Sequence, residues 1–361
     1  MKTHSMAVLC LGILCADRAG AHSVSNEVGV GTSQVSPRNP RSGFLYDRVS
    51  GVADASESVS LRFDLTLTHD DSTQPTQGAS FGDTGGNIFA GAVGVDWSPT
   101  EHFPLSAELD FSPKSTQSSD ATVSFDVGSI SSNADALLKA TSSALGFLVS
   151  GGYETAGDSD FESEANGYFS LTHYSTTQIV SDIATASGPI DRQQIIAYCS
   201  RTLYLGQGCR EIARALRAEP ADLNQFRLAA SFTETFVKDT DLTVGSAYYL
   251  YDKDPAQLGY FSIASIGRSV ALGNGIAVAP LRFSARSDLA QKLGIFSAGI
   301  WYQYGQYVPG DGYGHSAGLK LQCKITKAIK LWTSGTWQRD YDAQDNGQTS
   351  TTFALGGRYS F

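Results

Sequence analysis

Beyond residue 21 the chain has no apolar run approaching the ~20 residues that a membrane helix needs, which excludes a bundle of spanning helices. Basic residues are outnumbered: 26 Lys and Arg stand against 36 Asp and Glu, a formal net charge of −10. That balance argues against a nucleic-acid partner, because phosphate backbones are held by basic surface. Cysteine is sparse, at five in 361 residues, and His69, His102, His173 and His315 are scattered, so no metal-ligand cluster stands out. The acidic stretch from Asp340 to Asp345 is explained by surface solvation without calcium. No phosphate-cradling glycine motif sits between a strand and a helix, and no cofactor is expected.

What is present begins with an export signal. Lys2 precedes an apolar run from Met6 to Cys15, followed by Ala19, Gly20 and Ala21 as a small-x-small cleavage site. Leu14 stands where lipoprotein processing needs a small residue before the cysteine. Residues 1–21 are therefore read as a signal peptide. Its removal takes Lys2, Asp17 and Arg18 and leaves a charge of −11. Cys10 and Cys15 leave with it, and Cys199, Cys209 and Cys323 remain.

The chain is rich in glycine (37) and aromatics (16 Tyr, 18 Phe, 4 Trp), a composition that suits strands with interfacial aromatic girdles. From Val59 to His69 the apolar Val59, Leu61, Phe63, Leu65 and Leu67 alternate with Ser60, Arg62, Asp64, Thr66 and Thr68. The last ten residues alternate in the same way, with Phe353, Leu355, Tyr359 and Phe361 on one face and Thr352, Ala354, Arg358 and Ser360 on the other. A strand of this length and pattern can cross a bilayer within a closed barrel. This stretch resembles the C-terminal sorting signal of bacterial outer-membrane β-barrels at Gly356, Tyr359 and Phe361, and departs from it at Ala354, where a polar residue is usual. The resemblance implies an integral outer-membrane protein inserted by the barrel-assembly machinery through its C-terminal strand and surrounded by outer-membrane lipids.

The expected fold is all-β: a transmembrane antiparallel up-and-down barrel of about 12 strands (12 to 14), occupying residues 59–361. Residues 22–58, with Pro37 and Pro40, read as a periplasmic lead-in, although Glu27 to Val35 alternates like a further strand. Val123 and Phe125 fall in a stretch read as a hairpin within a loop. Short turns are expected at Val237 to Asp241, Ser287 to Gln291 and Thr326 to Ala328, alternating with longer loops. Residues 178–222 read as a small helical insert in an extracellular loop. Its Cys199 and Cys209, separated by Gly206 and Gly208 in an oxidising compartment, are expected to form a disulfide. Cys323, alternating with Leu321 and Ile325, reads as a lipid-facing apolar filler.

Strand parity also assigns the lumen. The early strands supply an acidic wall of Asp64, Glu108, Asp110, Glu154, Glu162 and Glu164, with Arg62 as an exception; the later strands supply a basic wall of Arg227, Arg282, Arg286, Lys320, Lys324 and Arg358. This arrangement resembles the charge separation at the constriction of general porins, which implies a passive channel for small polar or charged solutes. Three alternatives accompany it. The charges pair across and fill the lumen of a closed barrel; a non-conducting barrel acts through its extracellular cap; or the barrel is an outer-membrane lipid hydrolase. For the last, His173 and Ser175 share a face, but Thr176 and Thr177 stand where barrel phospholipases carry Asn-Gly, so an enzyme is not expected. Residues 22–58 do not look like the helical hatch of long-chain fatty-acid channels, and the chain is too short for a TonB-dependent transporter. General porins are often trimers, so a homo-oligomer is compatible with the reading.

Overall fold

The computed structural model describes residues 23–36, 41–72, 84–127, 130–155, 162–185, 188–189, 220–237, 239–253, 281–308, 312–341 and 347–361. The strands are β1 (Ser23–Ser36), β2 (Arg41–Ser56), β3 (Val59–Ser72), β4 (Thr84–Trp97), β5 (Leu105–Val127), β6 (Ile130–Glu154), β7 (Ser163–Thr185), β8 (Gly188–Pro189), β9 (Pro220–Val237), β10 (Thr240–Tyr251), β11 (Leu281–Leu293), β12 (Phe296–Tyr307), β13 (Tyr313–Lys324), β14 (Ile329–Tyr341) and β15 (Gly347–Ser360). Apart from β8, a two-residue bridge on β7, each pairs antiparallel with its sequence neighbours, and β1 pairs with β15. The sheet thus closes into a fourteen-strand up-and-down barrel. Closure leaves no long unpaired edge, the one arrangement in which strands can cross a bilayer with their backbone groups satisfied.

Two boundaries differ from the sequence reading. The segment read as a lead-in forms β1 and β2, and β1, not the Val59 strand, is the second partner of the terminal strand. Its pattern was hard to see because the face pointing outward carries Asn26 and Asp47, hydrogen-bonded at 2.6 Å, while the bulky Phe44 and Tyr46 point inward. The turn expected at Ser287 to Gln291 is strand. The chain reverses instead at Gly294 and Ile295, between the paired Leu293 and Phe296, where Gly294 takes a φ of +64° that costs a glycine little.

Of residues 178–222, those up to 185 continue β7 and those from 220 open β9. Residues 190–219, with both cysteines of the expected disulfide, lie outside the described residues. The stretch around Val123 and Phe125 is a hairpin formed by the far ends of β5 and β6. With β7 these strands run 23, 25 and 23 residues against 12 to 18 for the other long strands, so a three-stranded tongue rises beyond the rest of the wall.

The outer wall is apolar around the ring. Leu61, Phe147, Phe169, Leu228, Ile300, Leu319, Leu331 and Phe353 are exposed there. The buried aromatic cluster, Phe44, Tyr46 and Trp332 with Ala354, lies on the inner face. A barrel with exposed apolar residues outside and polar residues within requires hydrocarbon around it. At ~4.8 Å between strands and a tilt of ~40°, fourteen strands set a backbone radius of about 14 Å.

Candidate functional site

The interior is the candidate site. Register pairs share a face, so the inner side chains can be followed around the ring. One row runs Lys324, Lys330, Arg358, Glu27, Arg48, Thr66 across β13, β14, β15, β1, β2 and β3. Of the expected acidic wall, Asp64, Glu108, Asp110, Glu154 and Glu164 lie on this inner face. Glu162 precedes β7 and is exposed at the rim. Of the expected basic wall, Arg227, Arg286, Lys320, Lys324 and Arg358 lie on it. Arg282 does not join them, because the register shift between Leu281 and Phe283 takes it out of the ladder, where it is exposed.

Ring order sets the walls against each other. β5 and β13 stand seven places apart among fourteen, so β4 to β7, with Asp96, Glu108, Asp110, Glu154 and Glu164, face β12 to β15, with Lys320, Lys324, Lys330 and Arg358. A backbone diameter of about 28 Å is too wide for a carboxylate and an ammonium on opposite walls to touch. The ion pairs are correspondingly local. Arg48 of β2 binds Asp64 of β3, with Nε 2.7 Å from the carboxylate. Arg62 of β3 reaches Asp96 at 3.1 Å and Glu108 at 3.2 Å, crossing β4 at Gly94, where any Cβ would meet its guanidinium stem. Arg286 binds Asp288 on its own strand, its Nε at 2.7 Å. The two walls therefore set up a field across the lumen that local pairs reduce without cancelling.

The sequence reading missed the aromatic members of this wall. Tyr46 and Trp332 project toward each other from β2 and β14 across the Gly29 and Gly356 pair of β1 and β15. Their rings stack at 6.2 Å and 19°, and a Cβ on either glycine would collide with the ring above it. The Tyr46 hydroxyl donates to Glu27 at 2.7 Å. Lys320 lies 5.1 Å from the Trp332 ring, and Arg286 lies 4.6 Å from that of Trp301. Cation–aromatic contacts of this kind hold long basic side chains against the wall. The available signal was alternation in residues 41–56 with the large residues on the inner side and glycines opposite them.

His173 and Ser175 share the outward face of β7. The Cys323 thiol is unpaired, half-buried, and set in an outer apolar groove beside Leu293, Phe296, Leu321 and Leu331. Among the described residues no group of three or more His, Cys, Asp or Glu is placed to hold a metal ion.

Neither a family model nor a curated protein matches the chain. Solved structures do match over most of its length. The monoaromatic hydrocarbon channel CymD superposes with a TM-score of 0.51 at 10% identity, covering 94% of this chain and 88% of that one. The fold is that of outer-membrane channel barrels. A Pseudomonas aeruginosa FadL homologue matches with a TM-score of 0.49 at 11% identity, over 93% of this chain and 90% of its own. Pseudomonas aeruginosa OccK8 matches with a TM-score of 0.38 at 9% identity, over 94% and 98%. At these identities the likeness establishes architecture alone.

Proposed function

We propose that this protein is exported, its residues 1–21 being a cleaved signal peptide, and resides in the outer membrane as a porin-like channel for passive diffusion of small polar or charged solutes. The observation that carries the reading is the placement of β4 to β7 carboxylates opposite β12 to β15 ammonium and guanidinium groups in a ring too wide for them to meet. A solute crossing between them has its dipole turned by the field, and ions of both signs find a partner wall. The hydrocarbon named for CymD is not carried over, because the described lumen wall here is charged at several levels of its height. With both termini on the short-turn side, that side is periplasmic and the tongue is extracellular. Tyr359 and Phe361, exposed on the outer face of β15, then present the sorting signal to the assembly machinery, and Cys199 and Cys209 lie in an oxidising compartment that favours their disulfide.

The test is single-channel recording of the refolded barrel in a planar bilayer, with Lys320→Gln, Lys330→Gln and Arg358→Gln combined. Stepwise conductance is expected, with selectivity moving toward cations in the triple variant. Absence of conductance steps removes the channel and favours the second reading, an interaction barrel, which the tongue of β5, β6 and β7 supports. Pull-down of a surface partner that depends on the tongue would then identify its task.

A further inference from the structure

His173 sits on the outer wall in a setting that fixes its protons. Its Nδ1 lies 2.9 Å from Oδ1 of Asn224, its register partner on β9. The Asn224 amide is itself oriented: Nδ2 donates to Asp252 Oδ2 at 2.6 Å, and the backbone N–H donates to Oδ1 of the same carboxylate at 2.8 Å. Those bonds hold the Asp252 carboxyl below the ordinary carboxylate range, the backbone bond first. An ionised carboxylate can only accept, so the Asn224 NH₂ must face Asp252 and its oxygen must face His173. Nδ1 therefore carries the hydrogen and Nε2 carries the lone pair. This is the tautomer in which a histidine acts as a general base.

A hydroxyl lies within reach of that base. Ser175 stands two residues along β7 on the same outward face, about 6.6 Å away along the strand, bordered by Ser143 of β6 and Asp222 of β9. Lys253 donates to the Asp222 carbonyl at 3.1 Å, so the charged groups around the pair are Asp222, Asp252 and Lys253. Below it the outer wall is apolar, with Leu145, Phe147, Leu171 and Phe226 exposed. His173 is ten residues above Ser163, the first residue of β7. At ~3.3 Å per residue and a tilt of ~40°, that is about 25 Å, the height of the apolar band of an outer-membrane barrel. The pair thus stands at the boundary between hydrocarbon and headgroups, where the acyl esters of membrane lipids lie.

We propose that Ser175, His173 and Asn224 form a second site, on the outside of the barrel, that hydrolyses acyl esters of outer-leaflet lipids. Ser175 Oγ attacks the ester carbonyl carbon while His173 Nε2 takes its proton; the carbon–oxygen bond to the lipid alcohol breaks, and that oxygen leaves with the proton from Nε2. Water, deprotonated by the same nitrogen, then cleaves the acyl-serine to release a fatty acid and restore the hydroxyl. Asn224 and Asp252 are positioning residues that hold the tautomer. The proposal rests on the outer-membrane placement but not on conduction.

The full-length barrel in mixed micelles with a fluorogenic phospholipid ester tests it, together with labelling by a fluorophosphonate probe located by peptide mass spectrometry. Probe adduct at Ser175 is expected, with ester hydrolysis falling on the order of 10³-fold or more in Ser175→Ala and His173→Ala. Ser143→Ala serves as the control and keeps its rate. Asn224→Ala should lower kcat with KM unchanged and shift the acid limb of the pH–rate profile. Folding is read separately from the heat-dependent gel mobility of each variant, and Ser175→Ala should conduct as the unaltered barrel does. Hydrolysis no faster in the folded unaltered barrel than in Ser175→Ala, or no adduct at Ser175, overturns the proposal. Hydrolysis without conductance would leave it standing while removing the channel.

Discussion

Replacing Gly29 by alanine tests whether the two aromatic rings fasten the junction of the first and last strands. An added Cβ would lie 2.5 Å from Cε1 of Tyr46 and 2.8 Å from its hydroxyl oxygen, against ~3.5–4.0 Å for an unstrained contact. The ring has nowhere to go. It is fully buried, its hydroxyl is bound to Glu27, and Trp332 stacks beside it. Forcing it aside should cost about 1–3 kcal/mol, as overpacking does elsewhere. Tyr46→Ala alone should cost about 3–5 kcal/mol, the range for emptying a buried aromatic site. In the Tyr46→Ala background the Gly29 substitution meets no ring, so its cost should fall to near zero and the cycle should show a coupling energy of about 1–3 kcal/mol. Gly335, whose added Cβ would meet nothing within 4 Å, is the control and should tolerate alanine within about 0.5 kcal/mol. Urea unfolding from lipid bilayers, followed by tryptophan fluorescence, supplies the four free energies. Equal costs for Gly29→Ala in both backgrounds would refute the reasoning.

Two further outcomes follow from the wall's parity and from its rim. Cys323 in liposome-embedded protein should react with a lipid-soluble maleimide and resist a charged, water-soluble one, because its groove opens outward among Leu321, Leu331 and Phe296; fast labelling by the charged reagent would place it in the lumen. The Asp252 carboxyl is held below its ordinary value chiefly by the Asn224 backbone N–H, so its contribution is complete above the unfolded value of about 3.9 and is lost as pH falls through the lowered one. Hydrogen exchange at the Asn224 amide should therefore lose protection on acidification, and Asp252→Asn should abolish that dependence; an unchanged profile in the variant would contradict the assignment.

The strands that were legible in the sequence are those obeying the simple rule of apolar residues outward and polar residues inward. β3 and β15 obey it throughout, and the Val59 to His69 and Thr352 to Phe361 readings matched the structure. β1 and β2 break the rule because their task is different. Phe44 and Tyr46 are large and face in, where Gly31 and Gly29 leave room for them, while Asn26 and Asp47 face out and satisfy each other. Asp288 mimicked a turn residue for a similar reason: its carboxylate serves Arg286 along the strand. The wall charges were legible because parity alone assigns them, which is why Arg282, next to a bulge that resets parity, was the exception. The His173 to Asn224 contact joins residues 51 positions apart, and no local pattern announces it.

The junction of β1 with β15 also bears on time. It pairs residues as far apart as Ser33 and Thr352, 319 positions along the chain, so it closes the longest loop the polypeptide has, and such contacts form late. Contacts that form after the rate-limiting step leave the folding rate alone and slow unfolding instead. Tyr46 and Trp332, reaching across that junction from the neighbouring strands, therefore act on how long the barrel stays shut once inserted. Their removal should shorten the lifetime of the closed barrel while leaving its rate of formation almost unchanged.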